Sequence, residues 1–570
     1  MIKKSITRRV LTAFLCGAGL IAATAAHAAD VAVSGYLTGT NHWYRTNIYT
    51  LNGMVFGRSN SVLHIEAGTV IKGHNLGTFS TNVSALVICR GAKIYAEGTP
   101  QNPIIFTADV DDTTFPDDLD IYARGLWGGL VLLGNTTING ALDVAGNVAT
   151  PKYEVYEGLP DIEVGGERLL RYGGNDDNDS SGVLRYVSLR HGGALLASDK
   201  EINGLSLGAV GRGTTIEFVE AYAFADDGFE FFGGTVNTRY LVSAFCDDDV
   251  FDTDMGFRGT NQFWFGIQAA DKRNYGMELN SQINEIATAS LLTPQADFKV
   301  YNMTLIGAGT GSTIVNGGRD AAIILRPYAG PKIYNSIFTD FNERGIELDT
   351  RNGVNAATSV TNGYAQFANN LWWGFVTGSG SGNVNNTATN LGRFTVATNY
   401  WTDTSLTNLI SNPQLTGISR TNVGTKLDPR PASGSPALAA GNVRALPANA
   451  SAAGYVGAFG SVNWASDWTA LGEYCVISAI GAGTPAAQTV TGPAPTPSQP
   501  LLAHSVSGTN LVISFVSETG VNYQLQSASV LTVPVVWTNV GAVVPGTGGV
   551  LTFTPAIVAP GNEYFRVVVP

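Results

Sequence analysis

A repeat with a step of 23 residues restricts what this chain can fold into before any other property is considered. Val219, Val242 and Phe265 stand 23 apart, as do Ala221, Ala244 and Ile267, and each trio lies in an apolar run followed by a polar segment. A unit of that length cannot bury its apolar side alone, so successive copies must stack into a solenoid. The same step relates Leu63 to Ile71 with Leu86 to Ile94, where leucine, isoleucine, glycine and isoleucine recur. Alternation within each half reads as a strand with one buried face, and Gly68 and Gly91 fall where the chain must turn between two short strands. This pattern predicts an all-β fold, a right-handed parallel β-helix whose rungs stack about 4.8 Å apart. It also predicts a register, with Leu63 over Leu86 and Val219 under Val242.

The amino terminus has a different character. Lys3, Lys4, Arg8 and Arg9 precede an apolar run from Val10 to about Ala23 and then Ala26-His27-Ala28, the layout of an export signal occupying residues 1–28. Thr7-Arg8-Arg9-Val10-Leu11 also loosely resembles a twin-arginine signal. Cys16 is not preceded by the small residue that a lipid-anchored cysteine needs. No later stretch is apolar for the roughly 18 residues of a membrane helix. Removing the leader takes four of the 33 basic residues and leaves 29 against 45 acidic ones, a net charge of about −16. Such an acidic chain is a poor partner for nucleic acid or anionic lipid. Cys89, Cys246 and Cys475 are too few and too scattered for a disulfide framework, and burial as small apolar residues is expected of them.

Charged residues make up only 14% of the chain and glycines number 68, a balance suited to tight turns between buried strands. Residues 29–480 read as one solenoid with caps. Further rungs are expected to begin near Val183, Ile216, Tyr240, Phe263, Val300 and Ile333. Lys299-Val300-Tyr301-Asn302 recurs as Lys332-Ile333-Tyr334-Asn335 at a step of 33, which implies an inserted loop. Other insertions are expected at 108–124, 140–180 and 281–296, and loops on one flank of a solenoid are where binding grooves arise. The Asn-, Thr- and Gly-rich stretch 351–426 reads as late rungs and a cap over exposed strand edges. Residues 481–500 have the composition of a linker. Short alternating runs between Leu511 and Val567 then predict a small β-sandwich over 501–570.

Leu63 to Gly73, Gly91 to Thr99, Pro103 to Thr107 and Gly125 to Gly134 resemble the opening rungs of secreted bacterial pectin-lyase-like β-helix proteins. Leu427 to Pro431, Gly434 to Ala437, Tyr455 to Phe459 and Trp464 to Trp468 resemble their closing segment. The C-terminal module resembles β-modules appended to secreted proteins of Verrucomicrobia-like bacteria. What this implies is the fold over roughly residues 55–470. The activity stays open, because lyases, hydrolases, adhesins and structural proteins share that fold.

Two acidic motifs follow the repeated apolar runs, Asp226-Asp227-Gly228-Phe229-Glu230 and Asp248-Asp249-Val250-Phe251-Asp252, with a looser echo at Gly276-Met277-Glu278. If they occupy one corner of adjacent rungs, Glu230 and Asp252 stack within about 5 to 7 Å and must be neutralised by protons, by a basic residue or by a cation. Arg258, Lys272 and Arg273 are the basic candidates. Calcium suits such hard oxygen ligands, with Asp226, Asp227, Asp248 and Asp249 as donors. Asp177, Asp179 and Ser181 resemble the first half of a calcium loop, though Ser188 stands where an EF-hand needs glutamate. A solvated acidic strip and a polar surface loop are the plainer readings of the two places. A catalytic reading makes Glu230 and Asp252 the paired acid and base with Arg258 beside them. His191 lacks the companions of a polygalacturonase-like site and reads as structural. Phe229, Phe231, Phe232, Phe263, Trp264 and Phe265 read as core, and any aromatic on the outer face could carry a sugar ring.

The chain is therefore expected to be an extracellular, cell-surface or periplasmic monomer. It would bind an extracellular polysaccharide or a cell-envelope component, with Ca2+ as a structural ion. A polysaccharide lyase or glycoside hydrolase using the acidic column, and a purely structural envelope protein, are the alternatives.

Overall fold

The computed structural model describes residues 29–485 and 503–568, apart from 76–82, 117, 140–151, 197–199, 201, 282–292, 313–320, 352, 377–402, 449, 508–509, 518–520, 530–536, 548 and 557–563. The expected leader and most of the 481–500 stretch lie outside these residues. Two compact units emerge, 1–486 and 487–570.

The first unit is the parallel β-helix, its strands joined in one continuous 26-stranded sheet. Each rung turns through three faces. The first face carries Val62–Ile65, Lys93–Glu97 and the opening half of Thr215–Tyr222. The second carries Val70–Gly73, Ile104–Ala108 and the closing half of that strand. Ala85–Ile88, Leu130–Leu133, Leu205–Gly208, Phe229–Phe232, Phe251–Asp254 and Met277–Leu279 form the third. Alternate residues point inward, and Leu63, Leu86, Ile94, Leu184, Phe229, Phe251 and Trp264 join one buried core.

The fold agrees with the sequence reading, but the register corrects it. Leu63 pairs with Ile94, while Leu86 lies between Val55 and Leu130 on another face. The similarity between the two segments is real but relates successive corners of the coil. Both are strand–glycine–strand bends, with Gly68 and Gly91 at φ +85° and +83°, a conformation costly for residues with a Cβ. Val219 likewise pairs with Leu241 rather than Val242, whereas Val242 does pair with Phe265. Successive rungs here differ by one residue in their turns. The repeat at a step of 33 does correspond to successive rungs, with Lys299 paired with Lys332.

Between the first and second faces the chain bends at a residue in the left-handed region: Tyr186, Phe218, Tyr240 and Phe263, with φ of +48°, +55°, +56° and +58°. Such backbone costs about 1–2 kcal/mol per residue with a side chain. Stacking offsets this, since the four rings lie 4.4, 4.3 and 4.7 Å apart. In later rungs Asn302, Asn335 and Asn369 take the same bend, and their amides donate to carbonyls of Tyr455, Arg444 and Asn442. The closing segment thus runs along the outside of the second face. Trp464 and Trp468 cover the ring ladder, and buried Glu220 accepts hydrogen bonds from the N–H groups of Ala470 and Leu471. Phe263 and Phe265 therefore belong to this outer layer rather than to the interior. Phe232 also lies outside the coil, under Tyr156 and Tyr172.

The second unit holds two three-stranded antiparallel sheets, with Ile513, Phe515, Tyr523, Leu525 and Val567 buried together. Cys89 and Cys246 are buried as expected, whereas Cys475 is exposed. Among the described residues no helix is long and apolar enough to cross a membrane.

Candidate functional site

The acidic motifs meet on the third face. Because neighbouring positions such as Phe229, Phe231 and Phe251 turn inward, the residues between them turn outward in one row across the rungs: Ser206, Glu230, Asp252 and Glu278. Asp254 shares that side, two residues beyond Asp252 on one strand. In the preceding turns the Asp-Asp pairs also stack. The N–H of Asp249 donates to Asp227 Oδ1 at 2.8 Å, and the N–H of Tyr275 donates to Asp249 Oδ1 at 2.6 Å.

Two overlapping groups result, Asp226–Asp227–Asp248 and Asp227–Glu230–Asp252, each with one oxygen per residue within 4.8 Å of the others. Asp227 belongs to both. The row is not open to solvent: Asp227, Glu230 and Asp252 are only 6%, 7% and 9% exposed. Residues 153–172 fold over the neighbouring positions, and the Tyr156 hydroxyl shares a 2.9 Å hydrogen bond with Ser206 Oγ. Asn203 Nδ2 donates to Glu230 Oε2 at 2.5 Å.

Burial and mutual repulsion set the protonation. Loss of water raises the carboxyl groups of Asp227, Glu230, Asp249 and Asp252 well above the usual range, and adjacent carboxylates raise them further. Asp254 is pushed up to about 8, mainly by burial, despite the hydrogen bond it accepts from the N–H of Met255. Asp252 Oδ1 is buried with no hydrogen-bond donor among the described residues. A divalent cation would supply the missing partner, and a set of carboxylate oxygens without nitrogen or sulfur fits calcium.

The expected basic partners are placed elsewhere. Arg258 Nη2 pairs with Asp177 at 3.0 Å and its guanidinium also donates to the Thr137 carbonyl. Lys272 pairs with Asp247 at the surface, and Arg273 donates to Ser312 Oγ. The arginine that reaches the row is Arg326, which pairs with Glu278 at 2.6 Å and Asp349 at 3.3 Å and draws the Asp252 carboxyl back down. Lys200, paired with Glu157 at 2.5 Å, has its pKa raised by that partner and also by the charges of Glu230 and Asp226. Arg326 and Lys200 were not singled out from the sequence, where neither stands near an acidic motif. Asp254 was legible in the alternation of Phe251-Asp252-Thr253-Asp254.

The Asp177 loop stands apart. Asp177 takes Arg258 and Arg212, Asp179 Oδ2 accepts from the N–H of Asn135, and the N–H of buried Ser181 donates to Thr214 Oγ1. Its groups hold the loop together, and a cation there would have to displace Arg258. His191 is buried, with Nδ1 at 2.7 Å from the Ala123 carbonyl and Nε2 at 2.9 Å from the Tyr474 hydroxyl, and burial lowers its pKa to about 4. It ties the closing segment to the coil, in keeping with a structural role.

No curated protein matches the chain. The model of the pectate-lyase-like β-helix domain matches residues 35–408, from the first described rungs through the acidic row to the late rungs. That match spans well over half of the 570 residues, and with three parallel faces stacked around one core, the chain belongs to the pectate-lyase-like β-helix family.

Proposed function

We propose that this protein is an exported β-helix that binds an extracellular polysaccharide and carries a structural calcium ion in the acidic row. The family fits a polysaccharide-related protein. The observation that carries the calcium reading is the overlap of two carboxylate groups at Asp227, with oxygens within 4.8 Å and with Asp227, Glu230 and Asp252 almost wholly buried. Carboxylates placed so closely out of water repel by far more than hydrogen bonds from Asn203 and backbone groups offset. An ion held by either group, with Asp227 among its ligands in both cases, converts that repulsion into attraction. Its burial favours a structural role over direct contact with substrate.

The test is calcium content together with thermal melting. Elemental analysis of the purified protein should find bound calcium, and EDTA should lower Tm by several degrees, because an ion held only by the native state stabilises it by mass action. Absence of calcium with a melt unaffected by EDTA would refute the reading.

A lyase or hydrolase is the second reading, favoured by Glu230 and Asp252, which face each other on adjacent rungs with raised carboxyl groups. Against it, Arg326 is already held by Glu278 and Asp349 and is poorly placed as a free base. Reducing-end and unsaturated-uronate assays across acidic and neutral glycans separate the two.

A further inference from the structure

A second recessed site lies on the second face, far along the coil from the first rungs and on a different side from the acidic row. Trp373 on strand Leu371–Phe375 stands beside Thr339 of the preceding rung and is partly exposed. Residues 412–418, which include the short strand Leu415–Gly417, line with it a cleft of about 490 Å³, within the range of small-molecule sites.

The lining mixes polar groups with the indole and the apolar side chains of Pro413, Leu415 and Ile418. Thr310, Thr339, Asn412, Gln414 and Thr416 surround Trp373. Asp340, the charged residue in the wall, pairs with Arg420 at 2.7 Å and accepts from the N–H of Thr310 at 3.1 Å. The cleft is therefore close to neutral, in contrast to the acidic row.

Its hydrogen-bonding groups are also held in reserve. Trp127, Trp264, Trp372, Trp464 and Trp468 all donate their indole N–H to oxygens of the protein. Trp373 has no such acceptor among the described residues, nor does the side-chain amide of Gln414 have a partner there. Thr416 Oγ1 donates to the Arg430 carbonyl, which leaves its lone pairs as acceptors toward the cleft.

We propose that this cleft binds one hexose unit of a neutral glycan. A pyranose has a C–H face that packs on the electron-rich face of an indole, and a rim of hydroxyls that both donate and accept. The partly exposed ring of Trp373 answers the first feature; its N–H, the Gln414 amide, the Asn412 Nδ2 group, whose Oδ1 already accepts from the Gln414 N–H at 2.8 Å, and the threonine hydroxyls answer the second. An acidic sugar would need a cation, and Arg420 is committed to Asp340. The ligand class rests on the polysaccharide reading given above, whereas the location rests on the cleft alone.

Titration calorimetry of the full chain with cellohexaose, mannohexaose and, as a charged comparison, a galacturonate hexamer tests this. A neutral hexamer should bind the wild type. Trp373→Ala should weaken that binding about tenfold or more, the equivalent of roughly 1.4 kcal/mol, while Trp373→Phe keeps most of it. EDTA should leave it unchanged, which separates this site from the calcium reading: either can fail without the other. Should Trp373→Ala fail to fold, exposed Gln414→Ala is the substitute and should also weaken binding. The proposal is overturned if neither neutral hexamer binds, if the folded variants bind like the wild type, if EDTA abolishes binding, or if the galacturonate hexamer is the better ligand of the cleft.

Discussion

Glu230 and Asp252 occupy paired positions on adjacent rungs and are almost entirely buried. Replacing either carboxylate by its amide keeps the shape and removes the charge repulsion between the two. Without calcium, Glu230→Gln and Asp252→Asn should therefore melt at or above the wild-type temperature, and both should bind calcium more weakly by titration calorimetry. A large loss of calcium-free stability would contradict the picture of a repulsive pair. Arg326 predicts the opposite sign. It is 11% exposed and holds Glu278 at 2.6 Å, so Arg326→Met strands that acid beside Asp252, while Asp349 keeps Arg351. Breaking a buried pair in this way costs about 3–5 kcal/mol, read as a fall in the denaturant midpoint. Adding Glu278→Gln should restore part of it. The facing of Glu230 with Asp252 was legible in the repeated motifs. Arg326 was not, because it reaches the row from a rung 48 residues beyond Glu278 in sequence.

At the scale of elements, the third face behaves as one titrating unit. Its carboxyl groups hold protons in the folded chain at pH values where the unfolded chain has released them, Asp254 up to about 8 and Asp227, Glu230, Asp249 and Asp252 in the same direction. The native state then binds more protons than the unfolded state, so stability falls as pH rises from the ordinary carboxylate range near 4 toward 8. Each such group contributes up to ~1.4 kcal/mol per pH unit while it alone is being discharged. Melting temperatures of the EDTA-treated protein should decline between pH 5 and 8, and calcium, which prefers the ionised groups, should flatten the decline. A calcium-free melt that rises across that interval would count against the protonated row. The corner ladders show the same economy in another form: one left-handed bend is filled by rings where aromatic side chains of the closing segment cover it, and by asparagines where backbone carbonyls do.

For the whole molecule, the two compact units bury separate hydrophobic groups, the coil around residues such as Leu86 and Trp264 and the C-terminal unit around Phe515 and Leu525. A chain ending at residue 485 should accordingly keep the calcium-dependent melting transition of the full protein, followed by circular dichroism with and without EDTA. Loss of that transition would show that the coil depends on the C-terminal unit.

What the sequence determined by itself was the class of fold. Short apolar alternations at nearly constant spacing leave stacked parallel strands as the way to bury one side of each, and the matched acidic motifs place Glu230 against Asp252 once any stacking is granted. The tertiary structure decided which repeats are rungs. A strand–glycine–strand bend looks alike at every corner, so Leu63 and Leu86 match in sequence yet lie on different faces. It also decided which cations serve the acids. Charge compensation acts over a few ångströms of space, and insertions of variable length set which of Arg258, Lys200 and Arg326 comes within that distance.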